Sequence, residues 1–199
     1  MKKEFSYYEF VGLLVPSVIF LYSAHLIYQF VQDKQIIDFS KFGETLVFIV
    51  ICYGLGHILQ ALGNFFELGL WKIYKGMPTK WLTSKNRFGK TLFAKPFNNS
   101  VKEKITQKFG DDLDDYGRLT YNFLYQKQKT SRIDIFNGNY SLLRGLSVSF
   151  FLLLILSLIF LPLEYCTVPL VLLFLSVFRM IRFSKYYATE LYRTFYNDI

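Results

Sequence analysis

Residues 46–66 read LVFIVICYGLGHILQALGNFF, an uninterrupted stretch without a formal charge. A bilayer core ~30 Å thick needs about 20 apolar residues in a helix, so this segment is long enough to cross one. It is not uniformly greasy. His57, Gln60, Asn64 and, one position past its end, Glu67 fall within an arc of about 80° at 100° per residue, and Tyr53 joins that arc. Gly56 and Gly63 flank the stripe. Polar groups at membrane depth face a bundle interior or a water-filled cavity, and glycines allow a second helix to approach closely. The stretch therefore predicts a membrane-crossing helix with its polar stripe turned toward other helices. Three uses of the stripe stay open: interhelical hydrogen bonds worth about 1 kcal/mol or less per pair, a water-filled path or gate, and chemistry. For chemistry, His57 and Glu67 are the acid–base candidates, but ten residues of helix hold them ~15 Å apart. His25, the other histidine, falls in an earlier apolar block, roughly one to two turns off the level of His57.

Three more apolar blocks complete the pattern. The first, about 10–31, carries no formal charge; the third, about 146–163, is slightly short; the fourth, about 168–181, carries Arg179 in its last turn. An arginine there snorkels to the headgroups. Pro162, Glu164 and Pro169 mark a tight turn, so the last two blocks read as a helical hairpin. Lys2 and Lys3 precede the first block, and no small-residue cleavage site follows it, so it reads as a retained span. The whole is an all-α integral membrane protein, with four transmembrane helices and helical cytoplasmic extensions. Of 23 Lys and Arg, only Lys34 and Lys41 fall in the first connection and none in the last. The positive-inside rule then places both termini and the middle loop in the cytoplasm. Aromatics make up 20% of the chain, and Tyr7, Tyr8, Tyr28, Tyr74, Tyr140, Tyr165, Tyr186 and Tyr187 sit near block ends, as an interfacial belt would. Cys52 and Cys166 read as packing residues rather than a disulfide framework.

The segments are 1–71, holding the first helix pair; 72–141, a basic loop with about two helices; and 142–199, the second hairpin with a cytoplasmic C-terminal helix. Lys80, Lys85, Arg87, Lys90 and Lys95 punctuate an irregular stretch with Trp81, Phe88 and Phe93. Such a stretch gains roughly 1 kcal/mol per cation near an anionic leaflet, and basic-plus-aromatic composition also permits RNA contact. Ser100, with Glu103 three residues on, is a candidate capping box for a helix stopped by Gly110. Asp111, Asp112, Asp114 and Asp115 suit the positive end of the next helix, with Leu113, Tyr116, Leu119, Phe123 and Leu124 as its apolar face. They read as a solvated helix start, not a metal site, since no His or Glu completes a ligand set. Arg132, Phe136, Tyr140 and Arg144 recur every four residues; Arg182, Tyr186, Glu190 and Arg193 share one face of the tail. Both predict helical extensions of the last two spans, forming a stalk. Together with the loop cations, Arg132, Arg144, Arg182 and Arg193 define the expected partner surface.

No enzyme motif stands out. HExxH, GxSxG and a phosphate-binding glycine loop are missing; Gly89-Lys90-Thr91 lacks the earlier glycine of a Walker loop. No cofactor and no metal is expected. The run Gly56-His57-Ile58-Leu59-Gln60-Ala61-Leu62-Gly63-Asn64, the basic loop and the tail from Phe183-Ser184-Lys185-Tyr186-Tyr187 to Leu191-Tyr192-Arg193-Thr194-Phe195 resemble a group of small bacterial four-span membrane proteins. Size and layout are similar to the membrane accessory proteins encoded beside the RNA-guided RNA nuclease of some type VI-B CRISPR loci. The resemblance implies a non-enzymatic accessory of the bacterial inner membrane. It would regulate an antiviral nuclease or act as a membrane effector, as an oligomeric pore in one version. Expected partners are the lipid bilayer, further copies of the chain, and a cytoplasmic RNA-guided nuclease or RNA, with no DNA. The alternatives are a membrane enzyme acting on a lipid-like substrate through His57 and Glu67, or a small transporter. The latter lacks repeat symmetry between its span pairs.

Overall fold

The computed structural model describes residues 10–34, 41–110 and 115–198. Lys2, Lys3, Tyr7, Tyr8, Asp111, Asp112, Leu113 and Asp114 lie outside the described residues. Everything regular among those described is helical. A π-helical turn, Phe10–Leu14, leads into α1, Val15–Gln32. Then come α2, Phe42–Ile73; α3, Lys95–Phe109; α4, Tyr116–Gln126; α5, Ser131–Phe160; and α6, Thr167–Asp198. Short 3-10 turns occupy Pro78–Leu82 and Leu163–Cys166. Four helices are long and apolar enough to cross a membrane.

Three of these overrun their apolar blocks. The helices α2, α5 and α6 have 32, 30 and 32 residues, about 45–48 Å at 1.5 Å per residue. The extensions expected of the last two blocks are thus continuous helix. The helix α2 ends in a Schellman closure: Lys75 takes a left-handed φ of 60°, and the Gly76 amide donates to the Trp71 carbonyl at 2.8 Å.

The helix α3 begins six residues earlier than the Ser100 capping box predicts. Its cap is Ala94 in extended conformation, with Pro96 in the first turn. Proline presets φ for the helix and lacks an N–H that would go unsatisfied there anyway. Ser100 sits inside, its hydroxyl donating to the Pro96 carbonyl at 3.2 Å. Gly110 does stop the helix, at φ 92°. Asp115 caps α4, its carboxylate accepting from the Arg118 amide at 3.2 Å.

The contacts divide the chain into two units. Unit 1 is Met1–Phe66 with Gly138–Met180, and unit 2 is Glu67–Asn137 with Ile181–Ile199. Unit 1 hides small and polar groups: Ser17, Gln60, Ser141, Ser147, Ser149 and Ser176 are buried, while Val50, Phe174 and their like point outward. Unit 2 has a conventional core of Leu82, Val101, Ile105, Leu124, Leu191, Tyr192 and Phe195. Phe195 stacks on Phe109 at 5.6 Å and meets Phe123 edge-on at 5.5 Å. Both free cysteines are buried.

Candidate functional site

Pro16 sets up the polar centre of unit 1. Proline has no N–H to offer the carbonyl four residues back, which is that of Gly12. The Gln60 side-chain amide supplies a donor to the Gly12 carbonyl from α2. Its second N–H goes to the Ser141 carbonyl of α5 at 3.1 Å. The Gln60 carbonyl oxygen accepts from Arg144 Nε at 3.0 Å and Nη2 at 2.8 Å. Two donors and two acceptor positions are all a glutamine amide has, so this buried group is saturated. It ties α2 to the turn before α1 and to α5.

Small residues make room for it. A Cβ on Gly56 would stand 2.6 Å from the Leu13 carbonyl oxygen, a backbone atom that cannot swing away. On Gly145 it would stand 2.8 Å from Pro16 Cγ, and on Gly63 3.0 Å from Arg144 Cγ. The Ser149 hydroxyl donates within reach of the Pro16 carbonyl at 3.1 Å, and the Ser147 and Ser176 hydroxyls lie 3.1 Å apart. The Arg144 guanidinium also lies over the Tyr140 ring, 5.9 Å from its centroid.

The stripe expected to face inward as a whole is split. Gln60, Gly56 and Gly63 are buried, whereas His57, Asn64 and Tyr53 are exposed, the Tyr53 ring edge-on to His57 at 5.0 Å. The packing line of α2 runs through Gly56 and Gly63, which lie to one side of the polar arc. Glu67 falls in unit 2 and is half-buried. His25 is buried while His57 is exposed, so the two imidazoles occupy different surroundings. Arg144, expected on the partner surface, instead turns its guanidinium onto Gln60. The Gln60 carbonyl oxygen receives two N–H groups of the planar guanidinium, a charge-assisted, two-pronged contact. Sequence reasoning missed Gly12, Pro16, Ser141, Gly145 and Ser149. The four-residue spacing of Ser141, Gly145 and Ser149 on α5 is the small-residue signal that marks such a face.

Unit 2 holds the remaining candidates. Lys80, Lys85, Arg87, Lys90 and Lys95 are exposed. Their stretch is pinned rather than loose. Buried Asn86 accepts from the Phe88 and Lys90 amides at 2.9 and 3.0 Å, fixing a tip on which Lys85, Arg87 and Lys90 surround exposed Phe88. Trp81 donates to the Gly76 carbonyl at 2.9 Å, Asn98 to that of Leu82 at 2.8 Å, and Tyr192 to that of Thr79 at 2.8 Å. Arg132 pairs with Glu190 at 3.4 Å across α5 and α6. Arg182 donates to the Tyr186 hydroxyl at 2.7 Å, and Arg193 lies 5.9 Å over the Phe93 ring. Lys127 and Lys129 both grip Asp198 at the end of α6, Lys127 at 2.6 Å. These two hydrogen bonds, that from Lys127 first, hold the Asp198 carboxyl below its ordinary 3.8. On α4, burial first and then the 2.8 Å hydrogen bond to Asp134 push the Tyr121 phenol up.

The structure defines the class: a chain whose described residues hold only helices as regular structure, four of them long and apolar enough to cross a membrane. No family model, curated protein or solved structure matches it.

Proposed function

We propose that this chain is a non-enzymatic accessory protein of the bacterial inner membrane that presents a basic helical module to an RNA-bearing partner. The carrying observation is the division of charge. Of the 23 Lys and Arg, 17 belong to unit 2, against 9 of the 15 Asp and Glu; unit 1 has 6 of each. The whole net charge of +8 is therefore that of unit 2. Under the positive-inside rule, the four apolar helices cross the bilayer with unit 2 and both termini in the cytoplasm. Clustered exposed cations with an aromatic among them suit a polyanion. The RNA-guided nuclease that the resemblance implies brings one.

Between regulator and pore, the regulator is favoured. Gln60 and Arg144 are engaged in holding helices together, so no free polar path follows from them. The test is capture of the nuclease–guide complex by the full protein in detergent, compared with a variant in which Lys85, Arg87 and Lys90 are all Glu. Tight capture that weakens steeply with salt and falls at least tenfold in the variant supports the reading. Equal capture by both proteins overturns it. Trigger-dependent dye leakage from cells would instead return the pore.

A further inference from the structure

The outward face of α2 carries a second pattern, independent of the glycines that pack inward. Val47, Val50, Gly54, His57, Ala61 and Asn64 follow one another at spacings of three and four, and every one is exposed. They span an arc of about 100°, the a/d seam of a left-handed helix pair. Gly56 and Gly63 are pressed against neighbours, but nothing stands within 4 Å of where a Cβ on Gly54 would be. Among the described residues nothing hydrogen-bonds the exposed Asn64 amide.

We propose that a second copy of this chain packs here, parallel, seam to seam. The inference rests on the reading that α2 crosses the bilayer. In lipid, the Asn64 amide and the His57 imidazole have no water to satisfy them. Two copies inserted alike run parallel, and in a two-fold parallel pair each layer meets itself. An amide carries both donor and acceptor, so two Asn64 side chains complement each other; a neutral imidazole has one of each as well. The layers that alternate with them, Gly54 and Ala61, are the small ones that let backbones approach. No formal charge lies between Thr45 and Phe66 to oppose the pairing. This self-matching of layers singles out a second copy over an unrelated apolar helix, which would leave the polar layers unanswered.

The test is oxidative cross-linking in native membranes, in a background with Cys52→Ala and Cys166→Ser. Gly54→Cys and Ala61→Cys should give disulfide dimers. Ile51→Cys and Leu62→Cys, on another side of the same helix, should stay monomeric. Adding Asn64→Leu should weaken the Ala61→Cys dimer about five- to tenfold. Alkaline carbonate extraction separates the two readings. A protein washed off the membrane overturns the bilayer reading and the dimer with it. A protein retained in the membrane that forms no cross-link, or cross-links equally from both faces, overturns the dimer alone.

Discussion

Unit 1 and unit 2 sort the same amino acids in opposite directions. In unit 2, Trp81, Ile105, Leu124 and Phe195 are inside and the lysines outside, as water demands. In unit 1, Gln60 and the serines are inside, and Phe174 is 71% exposed. Burying a phenylalanine gains little where the surroundings are hydrocarbon; contact between small residues and hydrogen bonds are what remain. On the proposed membrane placement of unit 1, one chain folds by two different forces, with the boundary on α2 at Phe66–Glu67.

That contrast breaks most visibly at Phe195. Phe195→Ala empties a fully buried site between Phe109 and Phe123 and should cost unit 2 about 3–5 kcal/mol. Hydrogen exchange should quicken across unit 2 and stay slow in unit 1. Phe174→Ala should leave both unchanged; equal effects of the two substitutions would abolish the distinction.

Next comes overpacking. Gly56→Val drives a side chain into the Leu13 backbone and should cost about 1–3 kcal/mol, read as a lower melting temperature in detergent. Gly69→Val, over open space on the same helix and away from the proposed seam, should melt like the parent. Third, Gln60→Leu takes the Gln60 acceptor from the Arg144 guanidinium and the Gln60 donor from the Gly12 carbonyl, a loss of about 2 kcal/mol. If the pair is coupled, Gln60→Leu with Arg144→Leu should lose less than the sum of the single changes.

The smallest effect is a clamp confined to unit 2. The Asp198 carboxyl is held below its ordinary 3.8 by Lys127 and Lys129, so its contribution is present above 3.8 and is lost as pH falls through the depressed value. Acidification should loosen the end of α6 in hydrogen exchange. Asp198→Asn should show that looseness already at neutral pH and respond no further at this site.

The four apolar blocks were legible because length and lack of charge alone define them. The polar residue that organises unit 1 was legible too, since Gln60 was among the few polar groups in its block. Its partners were not. Helical phase tells which residues share a face, but the polar arc and the glycine arc of α2 differ by a fraction of a turn. Packing followed the glycines and left His57 and Asn64 outside. Arg144 read as a surface cation because nothing in a sequence announces which carbonyl oxygen, 84 residues earlier, lies beside it. Pro16 was a usable clue, since a proline within an apolar helix frees one carbonyl, and some neighbour must supply a donor.

The Gln60 amide also sets an order of manufacture. Its partners on α5 are made 81 and 84 residues after it. At about 5–20 residues per second, synthesis takes roughly ten seconds to cover that distance. On the proposed membrane placement of α2, three of the four hydrogen bonds of this amide stay unanswered for that interval, and the insertion machinery has reason to hold α2 until α5 arrives.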